Sequence, residues 1–471
     1  MAIHYNAGEV KVRPAVYQRQ SNVGASATAG AKDGFCAIPI QASWGPLGKV
    51  VGNTTALMLK KNYGAGTYGE GYTVPAAAAM LEGGASTVYT YRLGTGGAKA
   101  TKEITTGLNV TAKYPGTMPI SVAVQTKIGD ATRKQFLVYT GTTLVETWEF
   151  SADTTAEGAN LIAAAAKSGY VDIAGEAASV DVLAVASGAL TGGENPTVTN
   201  ADYSTAFAAF EPYYYNTIAL DVDDDENLTL GLLLKEYLDN ASKLGKKAIA
   251  VLGEKTDVDF EVRLGHARSI NDEKCVFQGG GYMVGTEKKD GALAFCYTAG
   301  LIASTPANRG ITHTVVSGAT DLCESVTYSQ YEDAINAGML MLSMSPDGSI
   351  WYDSAITSLT VPDVETQDDG WKKIRRVKTR YEIFDREDRT LAPKIGKVSN
   401  DTDGIADIVQ AGQSVLDDMV REGKLMAGAT FAEDPDNPFS GDSAWFIITV
   451  VDVDSLEKIY LHYMFRYSQN A

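Results

Sequence analysis

Apolar and polar positions alternate at the start of the chain: Val10, Val12 and Val16 share one side, and Glu9, Lys11 and Arg13 the other. A period of two predicts a half-buried strand. The stretch that follows, SNVGASATAGAKDG, is small and polar and reads as a flexible connector. A strand separated from its body by such a linker needs a partner sheet elsewhere, so residues 1–33 are an arm and linker. From 34 to 94 the pattern switches between strand and helix. FCAIPIQ is a strand, Thr54 or Thr55 caps the helix ALMLKKNYG, Pro75 opens the helix PAAAAMLEGG, and STVYTYRLG is a buried strand.

Between 95 and 196 short alternating runs (ISVAVQ, QFLVYT, LVETWEF) recur between glycine turns, with one alanine-rich helix around 160–167. This predicts an inserted, β-sandwich-like domain. Helix and strand signals alternate again from 197 to 355: YSTAFAAFEPY, YNTIALD, NLTLGLLLKEYLDNASKLG, KKAIAVLG, a buried helix near Ala299 and a helix over 331–342. That order predicts an α/β layer with parallel strands. The last section, 356–471, is α+β, with a basic segment, the helix IADIVQAGQSVLDDMVREG, and two closing strands, AWFIITVVDV and KIYLHYMFRY. In the final one Ile459, Leu461, Tyr463 and Phe465 share a face, with Lys458, His462 and Arg466 opposite, so an extended strand is expected at each end.

Length adds that 471 residues exceed one ordinary core. A net charge of −18 repels phosphates and anionic lipid, so neither nucleic acid nor membrane is an expected partner. No basic-then-apolar leader opens the chain, and the longest apolar run, ALAFCYTAGLIA, suits a buried helix better than a membrane span. Cys36, Cys275, Cys296 and Cys323 form no CxxC pair and read as buried thiols.

The search for chemistry points away from an enzyme. Gly64, Gly66 and Gly69 satisfy GxGxxG, but a helix precedes them where a dinucleotide fold needs a strand. The acidic run Asp221, Asp223, Asp224, Asp225, Glu226 places Glu226 and Leu232 where a calcium loop needs glycine and glutamate. Carboxylates at the N-terminus of the next helix are the better reading. His4, His266, His313 and His462 match no metal or triad spacing. No catalytic, cofactor or metal site is expected. One charge feature stands out: residues 371–397 hold ten Lys or Arg against four Asp or Glu. Lys372, Lys373, Arg375, Arg376, Lys378 and Arg380 are a solvated face or a patch facing an acidic partner.

The chain resembles the sheath proteins of contractile phage tails and phage-tail-like bacteriocins, in the form found with Gram-positive hosts. The resemblance rests on the order of KVRPAVYQRQSNVG (the family usually has RPGVY), WGPLGKVVGNTTA, AAAMLEGGASTVYTYRLG, YPGTMPISVAV, ALTGGENPTVTNADYSTAFAAFE, ALAFCYTAGLIASTPANRGITH and DSLEKIYLHYMFRY. It implies a subtilisin-like α/β central domain without protease function, an outward β-rich insertion, and a virion tail or tail-like particle assembled in the host cytoplasm. The implied partners are further copies in six-fold stacked rings, a tail tube, a baseplate and a tail terminator. It also implies arms exchanged between neighbours, here Val10, Val12, Val16 and Tyr17 with Ile459, Leu461, Tyr463 and Phe465. An acidic surface-layer or adhesin-type protein is the alternative, and it would need a secretion signal.

Overall fold

The near-continuous apolar runs in the chain become strands buried on both faces, as a parallel sheet requires. In the computed structural model, which describes residues 3–4, 17–18, 30–69, 71–153, 155–224 and 226–465, a seven-stranded sheet lies at the centre. Its order is Met339–Leu340, Cys275–Gln278, Ile249–Gly253, Thr217–Ala219, Phe35–Ile40, Thr87–Arg92, Val50–Asn53. The first six are parallel neighbours, and only the edge strand Val50–Asn53 runs antiparallel. Two segments far apart in sequence, 35–92 and 217–340, therefore share one sheet, joined through Thr217–Ala219 and Phe35–Ile40.

The helices follow the expected chemistry. Thr55 caps Ala56–Tyr63 by accepting from the Met58 amide, and Pro75 sits in the first turn of Val74–Glu82. Helix Ala292–Ser304 is almost wholly buried and crosses Val74–Glu82 closely. A side chain at Gly300 would strike the Met80 backbone, and one at Gly83 the Tyr297 carbonyl, so the crossing exists because both positions are glycine. Helix Tyr328–Ala337 ends earlier than the 331–342 expectation. Gly338 takes a left-handed turn there, and Met339–Leu340 joins the sheet instead. Helix Phe260–Ile270 and strand Cys275–Gln278 had no clear sequence signal.

The β-rich segment forms two three-stranded antiparallel sheets: Ile120–Lys127, Asp130–Thr140 and Thr143–Ser151 in one, and Thr101–Thr105, Leu108–Ala112 and Val171–Gly175 in the other. They enclose a second core that includes Val110, Val122, Phe136, Val138 and Leu161. Two residues from the preceding segment tie it to the body. Trp44 enters this core, stacked on Tyr170 and edge-on to Tyr114. Fully buried Arg92 donates to the carbonyls of Ala42, Gly45 and Pro115. The two ends of the segment meet where Thr95 and Thr197 exchange backbone hydrogen bonds of 3.0 and 3.1 Å.

The chain divides into two compact units, 31–384 with 452–471, and 1–30 with 385–451. In the smaller unit the amphipathic helix Thr402–Arg421 packs on a hairpin of Thr430–Glu433 and Phe446–Thr449, with Gly412 lying flat against the Phe431 ring. No described helix is long and apolar enough to cross a membrane.

Candidate assembly segments

The acidic run does what helix electrostatics asks of it. Asp224 accepts from the Leu230 and Gly231 amides at the start of helix Thr229–Lys243. Asp223 accepts from Ala292 N at the start of helix Ala292–Ser304 and pairs with Lys255 at 2.7 Å. Asp221 is buried, and burial raises its carboxyl to about 6 against the hydrogen bonds from Thr73 and Tyr203. The glycines at 64–69 form a loop after a helix, with Gly64 as its cap. His266 meets Glu254 at 2.6 Å, and His313 stacks on Trp351.

The basic segment opens a helix, Ile374–Leu391, which composition alone did not predict. Its cations have partners inside the same unit. Arg376 forms a two-pronged pair with Asp452 at 2.7 and 2.8 Å, and Arg380 reaches the same carboxylate at 3.3 Å. Lys373 bridges Asp454 and Glu457 at 2.9 and 3.0 Å, and Arg375 donates to the Ser455 hydroxyl. Lys372 pairs with Asp369, and Arg380 also holds Asp368 while lying over the Trp371 ring. Lys378 differs from the others: it is buried in the single chain, 9% exposed. Its ammonium caps the end of helix Ala292–Ser304, donating to the carbonyls of Ile302, Ala303 and Thr305. Burial opposes the charge of Asp452, but the hydrogen bonds from Arg376 and the charge of Arg380 outweigh it and hold its carboxyl below the ordinary range. A depressed carboxylate stabilises the fold above its unfolded pKa and loses that contribution only as pH falls through the folded value. This pairing therefore persists through neutral and mildly acidic pH.

Past Glu457 the described chain leaves its body, and every large apolar side chain from Ile459 to Phe465 is exposed, Ile459 by 69% and Phe465 by 94%. Ile459, Leu461, Tyr463 and Phe465 form no strand in the single chain, contrary to the sequence expectation. Of the two closing strands expected, the first, Phe446–Thr449, forms and pairs with Thr430–Glu433. A strand is a property of a pair, and the segment 459–465 has no partner strand within the described residues of its own chain. Its alternation survives locally, since the Tyr463 and Phe465 rings stack at 6.3 Å. Val10, Val12 and Val16 lie outside the described residues, and Tyr17 belongs to a two-residue strand, Tyr17–Gln18, paired in parallel with Ile3–His4.

Residues 95–195 match the family model of the phage tail sheath protein beta-sandwich domain, and residues 197–357 that of the phage tail sheath protein central domain. The chain belongs to the phage tail sheath family. A Bacillus subtilis relative, the phage-like element PBSX protein XkdK, is 24% identical over 375 residues, 75% of this chain and 74% of its own. The sheath tail protein of Desulfitobacterium hafniense superposes with a TM-score of 0.72 at 20% identity, over 93% of this chain and 100% of that one. The anti-feeding prophage helical sheath in its contracted state has a TM-score of 0.55 at 12% identity, over 98% and 100%. Likeness at these identities is likeness of fold. Within this sheath protein the residues that sequence reasoning missed are Asp452, Asp454 and Glu457. Their spacing along an extended segment was a signal, because it complements the Lys373, Arg376, Arg380 stripe.

Proposed function

We propose that this sheath protein is the repeating subunit of a contractile tail sheath. It polymerises with itself as stacked six-membered rings around a tail tube, between baseplate and tail terminator, and shortens to drive the tube through a cell envelope. The site of action is a virion tail or phage-tail-like particle assembled in a host cytoplasm. One observation carries the reading: a folded body presents an extended, exposed apolar segment that no described residue of its own chain covers. Strand addition covers such a segment, with main-chain bonds for strength and alternate side chains for register.

The partners in that exchange are Val10, Val12, Val16 and Tyr17 from one arm and Ile459, Leu461, Tyr463 and Phe465 from the other. The two-stranded sheet of Thr430–Glu433 and Phe446–Thr449, with Ile447 and Ile448 exposed, offers free edges on which a neighbour's arms can add. Lys372 and the outer parts of Arg375, Arg376 and Arg380 stay candidates for facing a tube or an adjacent subunit, with their charge already largely balanced. The central sheet is read as a subtilisin-like layer that serves as scaffold and carries out no reaction. Negative-stain microscopy of the expressed chain tests the reading. Hollow tubes of uniform diameter are expected, and a chain that stays monomeric at millimolar concentration, with and without tube protein, would overturn it.

A further inference from the structure

The acidic stretch 452–457 sits at a junction: before it the chain belongs to the smaller unit, and after it comes the exposed apolar arm. Its contacts with the body are made mainly by side chains. Asp452 takes the fork of Arg376 and a second arginine, Asp454 and Glu457 share Lys373, and Ser455 takes Arg375. Glu457 also accepts from Thr312, and the Ser455 hydroxyl lies over Gly310, where any side chain would collide with it. Asp452, Asp454, Ser455 and Glu457 thus face cations spaced along the start of one helix. A fork of two parallel bonds fixes direction as well as distance, which a lone lysine would not.

We infer that residues 452–457 and the basic face at 373–380 form an electrostatic clamp that fixes the root of the C-terminal arm to its own subunit. The receptor fits an acidic, extended peptide, and its occupant is this chain's own strap. Arm residues beyond 457 are then free to leave, while pull on them is delivered into the helix Ile374–Leu391 and the central body. The purpose of the clamp rests on the sheath reading, but its existence does not.

Cleavage after Glu457 by a glutamyl endopeptidase, followed by mass spectrometry on the unassembled full chain, reads the clamp directly. In Arg376→Ala/Arg380→Ala the rate should rise at least tenfold. Asp452→Asn, which leaves the helix untouched, should produce most of that rise. The exchanged pair Arg376→Asp/Asp452→Arg should return most of the protection that either single reversal loses. Cleavage of the central body serves as the folding control, and if the double alanine variant fails it, Asp452→Asn decides. Unchanged cleavage in Asp452→Asn, or no recovery in the exchanged pair, overturns the clamp. A protected strap in a protein that never forms tubes would leave the clamp standing and refute the sheath reading instead.

Discussion

Removing residues 1–21 should leave a folded, soluble subunit that forms no tubes. Among the described residues, the core of the larger unit begins at Cys36, so the truncation takes nothing from it, and the thermal midpoint of that unit should hold. What it takes is the valine-patterned segment on its glycine- and alanine-rich tether, together with the two-residue pairing of Ile3–His4 with Tyr17–Gln18. Each main-chain bond contributes a net of about 0.5–1.5 kcal/mol. Losing a strand of several bonds should therefore raise the critical concentration for polymerisation by at least about 100-fold, at roughly 1.4 kcal/mol per factor of ten. Val12→Asn keeps those bonds and should weaken assembly by only about tenfold on the same scale. Sedimentation across a concentration series measures both, and ordered tubes from the truncated chain at wild-type concentrations would remove the arm from the account.

The largest effect on the fold is expected from Gly300→Val. Helices Val74–Glu82 and Ala292–Ser304 approach backbone to backbone at Gly83 and Gly300, and a branched side chain at 300 has only the Met80 main chain to displace. Overpacking of that kind costs about 3 kcal/mol or more, because a backbone cannot rotate away as a side chain can. A midpoint lowered by roughly 5–10 °C, or loss of soluble protein, should result. Gly265→Ala is the matched control. It lies in helix Phe260–Ile270 with open space around its missing Cβ, so alanine there should be neutral or stabilise by up to about 1 kcal/mol. A Gly300→Val midpoint equal to wild type would mean that the two helices do not cross as described.

Local rules carried much of the architecture. Caps, prolines and apolar runs located most of the described helices and the longer buried strands, because a strand buried on both faces must be apolar throughout and a helix start must satisfy its amides. They missed many short strands, because a two- or three-residue strand carries no such pattern. Order across the sheet was not legible: nothing in FCAIPI or TIA says that Phe35–Ile40 and Thr217–Ala219 are neighbours. The basic segment shows a different failure. Its sign was visible, but the partner that balances it lies 76 residues further along, at Asp452. Charge composition in a window sees a surplus where the folded chain has a pair. The terminal arm failed in the opposite way. Alternation at Ile459 to Phe465 predicts a strand, yet strand formation needs a second segment, and none pairs with it among the described residues.

The central claim is that the exposed arm joins one subunit to the next, and a high-resolution reconstruction of the assembled polymer addresses it most directly. Density for residues 459–465 should run as a paired strand on a neighbouring copy, with Ile459, Leu461, Tyr463 and Phe465 on the covered face. An ordered polymer in which that segment lies unpaired, or folds back as a strand on its own subunit, would contradict the claim.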